Sequence, residues 1–353
     1  MGYLWIIFII ISIIYITIIQ PSHIENFTTD SNTADSNTTD TSHIMQEIRR
    51  INQIDPDKRT IFISVASYRD TECSNTINSI FTQAKYPNRI FVGICQQNNS
   101  ADPDCFDPKY KDNVRIVRFT DKEAKGPTYA RYLCSKLYNG EDYYMQIDSH
   151  TRFIKDYDDI LINMFPPNQK VVITTYPNDW ITENKGDDVS ILCNPKYEDN
   201  IVSFGGLLIS PPNSLVESGF VTAGFFITYG VFLQEVPYDG NLPYLFLGEE
   251  ILFTVRLWTN GWNFLSPNRR ICYHFYTRSD HPKYWENPEY NIHQPKTFEK
   301  VRYLLKLTDT KPNDIITNQY GLGTKRSLDD YYKYIGFDPK TKKFSEKKFC
   351  KGL

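Results

Sequence analysis

GPTYARYLCSKLYNGEDYYMQIDSH, residues 126–150, is a helix followed by a strand, with a carboxylate and an imidazole at its far end. Ala130, Leu133, Cys134 and Leu137 recur at i, i+3, i+4 and i+7, one face of a helix, and Asn139-Gly140 closes it. Tyr143 to Asp148 (YYMQID) then reads as a buried strand. The same rhythm runs upstream. Thr60 to Ala66 (TIFISVA) is a short β-branched run, and Cys73, Ile77, Ile80, Phe81 and Ala84 mark a helix face stopped by Pro87-Asn88. Arg89 to Gln96 and Val114 to Phe119 supply two more strands. Strands alternating with helices imply βαβ units, hence an α/β fold with a mostly parallel central sheet. Ligands of such sheets bind beyond the carboxyl ends of the strands. Ser67-Tyr68-Arg69-Asp70 and Asp148-Ser149-His150 both sit at such ends.

Residues i and i+2 of an extended segment point to one side, so Asp148 and His150 can converge on one divalent ion. The plainer alternative is an Asp capping the next turn beside a surface His. Gly126 to Arg131 opens the preceding helix with free backbone N–H groups and an arginine one turn in, a pattern suited to phosphate or ribose.

Outside this core the chain changes character. With 39 basic against 42 acidic residues, the 353-residue chain has no global basic footprint, which argues against a nucleic-acid binder. Seven cysteines without a C-x-x-C pair argue against a zinc ribbon or a thioredoxin motif; Cys73, Cys95 and Cys134 fall on apolar faces as buried thiols, while a lumenal enzyme could still pair some of the seven and leave at least one free. Tyr3 to Ile19 carries no charge, and as a helix it would span about 25 Å, somewhat short of a typical bilayer core. An uncleaved anchor over residues 1–20 is the preferred reading, with a cleaved signal peptide or a core helix as rivals. Residues 21–57 read as a polar, disordered stem rich in Ser, Thr and Asn. The stem carries N-glycosylation sequons at Asn26 and Asn37, and a third lies at Asn98. The globular body is expected over 58–300, followed by a helical extension and lysine-rich tail over 301–353, with helices at Val301–Leu307 and Leu328–Ile335.

Three stretches, taken in order, carry a resemblance: SVASYRDTECSNTINSIFTQAKYPNRIFVGICQQ, GPTYARYLCSKLYNGEDYYMQIDSHTRF and GEEILFTVRLW. Together they resemble the protein α-N-acetylglucosaminyltransferases, which act on hydroxyproline or threonine and are related to the mucin-type polypeptide GalNAc-transferases. The resemblance implies a GT-A fold and a retaining, metal-dependent transferase using UDP-GlcNAc or a related nucleotide sugar. A metal site of Asp148, His150 and a later histidine is implied, and Ile271-Cys272-Tyr273-His274-Phe275 offers His274. Mixed nitrogen and oxygen ligands suit Mn²⁺ better than Mg²⁺. Ser67, Tyr68, Arg69 and Arg131 become candidates for the nucleotide, although either arginine could equally form a structural salt bridge.

In the second half, Gly205-Gly206 permits close backbone approach to a ligand or merely a bulge. Glu249 and Glu250 open a helix. They either complement its dipole or contact the donor sugar and acceptor, with Glu250 slightly preferred. Trp180, Trp262 and Trp285 could stack on sugar or peptide. The expected layout is a single-pass type II membrane enzyme with a lumenal catalytic domain acting on a protein hydroxyl. The alternative is a catalytically silent domain that binds nucleotide sugar or glycan.

Overall fold

In the computed structural model, which describes residues 38–182, 186–277, 281–345 and 349, the expected strands form one half of an eight-stranded sheet, out to its edge at the third of them. Strands β1 (Ile61–Tyr68), β2 (Ile90–Asn98), β3 (Val114–Thr120) and β4 (Tyr143–Asp148) run parallel, in the order β4-β1-β2-β3. β1 and β4 are buried over nearly their whole length, which is why their apolar runs are continuous rather than alternating. After them come β5 (Thr151–Phe153), β6 (Val171–Thr174), β7 (Asn178–Asp179), β8 (Val189–Glu198), β9 (Ile201–Ile209), β10 (Val216–Glu217), β11 (Phe225–Tyr229), β12 (Asn263–Ser266) and β13 (Cys272–His274). β11 lies antiparallel between β4 and β6, β12 runs parallel to β6, and β10 closes that edge antiparallel. Four of the seven pairings are parallel, so the sheet is mainly parallel, with its reversal at β11.

β13 pairs antiparallel with β5 and parallel with β7 in a small separate sheet. β8 and β9 form a long hairpin whose two turn residues, Asp199 and Asn200, have φ of 51° and 62°, the left-handed values a tight primed turn demands.

The helices are α1 (Thr38–Gln53), α2 (Cys73–Gln83), α3 (Pro127–Ser135), α4 (Tyr157–Met164), α5 (Glu249–Thr259), α6 (Pro288–Leu304) and α7 (Leu328–Ile335). α1 corrects the expected stem, because its residues belong to the folded body from about Asp40 onward. Ile44, Ile48 and Ile51 fall at i, i+4 and i+7 and are fully buried in the main core, each contributing on the order of 2 kcal/mol. The boundary expected at residue 300 is also absent. α7 matches its expected span, and its Leu328, Tyr331, Tyr332 and Ile335 share a second core with Ile251, Leu252 and Val255 of α5. Val301–Leu304 is the end of α6, which starts earlier than expected because Asn287 caps it and Pro288 fits its first turn.

Two further corrections concern side chains. Cys73 is bonded to Cys105 rather than being a free thiol, tying the start of α2 to the loop after β2, while Cys95 and Cys134 are buried and free as expected. Trp262 is completely buried and cannot stack on a ligand, whereas Trp180 and Trp285 are exposed. Among the described residues no helix is long and apolar enough to cross a membrane. The expected anchor over 1–20 and the sequons at Asn26 and Asn37 lie outside the described residues.

Candidate active site

The chain reverses after Asp148 through Ser149 and His150, and β5 carries it onto β13. The register sets His274 opposite Thr151, and Phe275 N–H donates to the His150 carbonyl at 3.1 Å. Two imidazoles 124 positions apart in the chain are thereby delivered to one point. Their ring centroids are 4.3 Å apart. Donor atoms of Asp148, His150 and His274 all lie within 4.8 Å of one another, and His274 Nε2 is 3.1 Å from Asp148 Oδ2.

The electrostatics around this cluster suit a cation. Burial pushes the His150 imidazole below its ordinary pKa, outweighing the neighbouring Asp70, so it is neutral with a lone pair to offer. Burial alone would raise Asp148, but the hydrogen bond from His274 and the Arg131 charge hold it below the usual carboxylate range. His274 Nδ1 is buried without a hydrogen-bond partner among the described residues, and His150 Nε2 makes no hydrogen bond with any of them. Two donor atoms bound cis to one ion at about 2.1 Å would be about 3.0 Å apart, close to the separation of His274 Nε2 and Asp148 Oδ2. The residues therefore fit a divalent metal.

Two helix starts complete the site, and both depend on glycine. α3 begins after Gly126 (φ 93°) and α5 after Gly248 (φ 90°), positions at which a side chain would be strained. α3 carries Arg131, whose guanidinium donates to Asp148 Oδ1 at 2.9 Å and to Glu249 Oε2 at 2.5 Å. Burial alone would lower its pKa, but the two carboxylates hold it above the ordinary value. Arg131 is thus the cation that lets two carboxylates stand together in a buried place. Glu250 accepts from Ala223 N–H at 2.8 Å and from the Tyr176 hydroxyl at 3.0 Å, yet burial pushes its carboxyl up to about 7.

These groups line one cavity of about 500 Å³. Of the residues expected from sequence, Tyr68, Arg131, Asp148, His150, Glu249, Glu250 and His274 meet in its wall. Ser67, Arg69, Gly205 and Gly206 do not. Ser67 is fully buried beside Cys105. Arg69 has φ 48° and turns outward to Asp102 at 2.9 Å, because that left-handed step sends the next residue inward instead. At Gly206 a Cβ would meet Ser190 Oγ at 2.5 Å, so this glycine serves the packing of the hairpin. His281 and His293 stay outside the metal cluster: the first contacts Thr71, and the second lies on α6 beside Glu289.

Among the wall residues that were not anticipated, Asp70, Tyr176 and Lys283 bring polar groups to the site. Asp70 lies in the strand-end stretch already singled out, where position alone could have flagged it. Tyr176 and Lys283 carry no local signal, since only tertiary folding brings them to the cavity.

Residues 60–111 and 107–341 match the sequence profile of the family described as Glycosyltransferase (GlcNAc). No curated protein sequence matches the chain. Among solved structures, one described as GalNAc-T7 with UDP, GalNAc and Mn²⁺ aligns with a TM-score of 0.52 at 13% identity. The alignment covers 84% of this chain but only 65% of that one. A structure of S. aureus TarS 1-349 in complex with UDP-GlcNAc aligns at 14% identity over 72% of this chain and 68% of that one, with a TM-score of 0.44. At such identity the first likeness establishes an α/β glycosyltransferase-like fold.

Proposed function

This chain belongs to the Glycosyltransferase (GlcNAc) family, and on that premise we propose that it transfers N-acetylglucosamine from UDP-GlcNAc to a hydroxyl group of a protein. The observation that carries this reading is the meeting of Asp148, His150 and His274 with Glu249 and Glu250 in one cavity beyond the end of β4. Asp148, His150 and His274 would hold the divalent ion, Mn²⁺ by their mixed donor set. When bound, that ion acts as a Lewis acid toward the diphosphate whose charge grows as the glycosidic bond breaks.

The chain's own residues do the rest. Arg131 holds Asp148 and Glu249 aligned rather than contacting the nucleotide, since both terminal nitrogens already serve carboxylates. Lys283, the other Lys or Arg in the cavity wall among the described residues, would supply positive charge to the diphosphate. Glu249 and Glu250 bind the sugar and acceptor hydroxyls. No protein base is required if the leaving phosphate takes the acceptor proton on the same face, which retains the anomeric configuration.

The exposed Phe246–Trp285 pair, with ring centroids 4.8 Å apart at the cavity, offers a stacking surface to the acceptor. The same proposal includes a membrane tether at residues 1–20 and a lumenal body, a reading supported by the Cys73–Cys105 disulfide, since such bonds persist in oxidising compartments.

The test is UDP release by the full-length protein in detergent, with a panel of UDP-sugars and peptide acceptors, in Mn²⁺ and in EDTA. UDP-GlcNAc turnover that depends on Mn²⁺ and yields an α-linked product is expected. Equal turnover in EDTA would overturn the metal assignment, and a β-linked product would overturn retention.

A further inference from the structure

We propose that Asp70 is the positioning residue of the metal site, fixing His150 in the one tautomer able to coordinate. The proposal rests on the metal-dependent reading above. Asp70 lies just past the end of β1, its side chain is fully buried, and it contacts His150 in the wall of the cavity. Its Oδ2 is 2.6 Å from His150 Nδ1 and 2.6 Å from Ser149 Oγ, while its Oδ1 accepts the Glu72 backbone N–H at 2.9 Å.

A carboxylate can only accept hydrogen bonds, so Nδ1 of His150 must carry the ring proton when the imidazole is neutral. That leaves Nε2 bare and available to the ion. A metal-bound imidazole held by a carboxylate through its other nitrogen is both oriented and made more basic, and loss of such a partner typically weakens metal affinity by about 10–100-fold.

The local backbone is built for this arrangement. Arg69, with φ 48°, takes a left-handed step that few non-glycine residues adopt, and its side chain is pinned outward by Asp102. The step turns Asp70 inward, where the start of α2 holds it through the Glu72 N–H. A strained backbone is retained where the surrounding contacts over-determine it. Here those contacts converge on one carboxylate.

The contact set also says why an amide cannot substitute. The Glu72 N–H is a fixed donor and draws an amide oxygen to itself. Asp70→Asn therefore turns its NH₂ toward His150, favouring the tautomer protonated on Nε2, which cannot bind metal.

The experiment has two readouts on the full-length protein. ¹⁵N NMR of the metal-free parent should find His150 protonated on Nδ1 and bare on Nε2, and calorimetry should detect Mn²⁺ binding. Asp70→Asn should move the proton to Nε2 and weaken Mn²⁺ by about 10–100-fold. His293→Ala, outside the cluster on α6, should stay within about twofold of the parent.

A parent already protonated on Nε2 overturns the proposal, and this measurement decides it even if Asp70→Asn fails to fold. An Asp70→Asn protein that melts earlier while keeping the parent's tautomer and Mn²⁺ affinity also overturns it, leaving Asp70 a structural cap for α2. A parent that binds no Mn²⁺ overturns both this proposal and the reading beneath it. A parent that binds Mn²⁺ while Asp70→Asn binds equally well overturns this one alone.

Discussion

The two walls of the cavity are built by opposite strategies. One wall is the rim of the parallel strands: Asp70 follows β1, while Asp148 ends β4 and His150 follows it. Each is placed by a strand buried over nearly its whole length beside another, in a register that sets Ala66 against Asp148. The other wall is assembled from short pieces: Tyr176 in a loop, Glu249 and Glu250 at the start of α5, and His274 at the end of a three-residue strand. Nothing local fixes those pieces. They depend on long-range pairing and on a few cross-links: Arg131 bonds both walls through Asp148 and Glu249, and His274 reaches across to Asp148. The comparison teaches that the strand rim should keep its shape on its own, while the assembled wall depends on a few cross-links.

Breaking the arginine cross-link is the severest test. Arg131→Leu leaves Asp148 and Glu249 facing each other without their cation, and unpairing a buried charge typically costs about 3–5 kcal/mol. Urea unfolding should register a loss of that size at neutral pH. A loss below about 1 kcal/mol would mean that the two walls hold together without the arginine.

The histidines sharpen the comparison, because one comes from each wall. If both are metal ligands, His150→Ala and His274→Ala should each lower UDP-GlcNAc turnover by about a hundredfold or more, since losing a ligand removes several kcal/mol of charge stabilisation. His281→Ala and His293→Ala should stay within a few-fold, as neither joins the cluster. Steady-state assays at matched Mn²⁺ concentrations check the set. Near-normal turnover by His274→Ala would remove the assembled wall from the metal site.

How much of this was legible in the sequence follows the same division. The strand rim was readable because its information is local: apolar runs, a helix face between them, and D-x-H at a strand end. His274 could be proposed only from the resemblance and its apolar approach, because its pairing with β5 spans more than a hundred residues. Arg69 was assigned inward and Asp70 overlooked because a single left-handed residue reverses the alternation that strand logic assumes. The start of the body was misplaced for a different reason. The polar composition around residues 38–43 masked the Ile44, Ile48 and Ile51 periodicity that immediately follows.

That helix offers a control at the far end of the sheet. α1 packs near the amino end of β4: Arg50 pairs with Asp142 at 3.0 Å, and Asn52 reaches the Tyr229 hydroxyl at 3.2 Å. Ile48→Ala should lower stability by about 2–3 kcal/mol, within the range for buried aliphatic truncation, and leave turnover at 20 °C within about twofold. Thermal unfolding and the UDP-release assay check the two halves of this prediction. A large rate loss without a stability loss would show that α1 communicates with the site.

Glu250 gives the smallest effect and tests the assembled wall through pH. Its carboxyl is raised to about 7 from an ordinary 4.5, chiefly by burial, and the hydrogen bonds from Ala223 and Tyr176 only partly offset that. A group whose folded pKa lies above its unfolded one contributes stability that is complete below the unfolded value and is lost as pH rises through the folded value. The window is therefore about pH 4.5 to 7. Across it the metal-free parent should lose about 2 kcal/mol relative to Glu250→Gln, whose neutral amide keeps the shape but cannot ionise. Parallel urea titrations in EDTA at pH 5 and pH 8 measure the difference between the two proteins. Parallel pH profiles would mean that Glu250 is solvated well enough to ionise freely, and that this wall of the cavity is open to water.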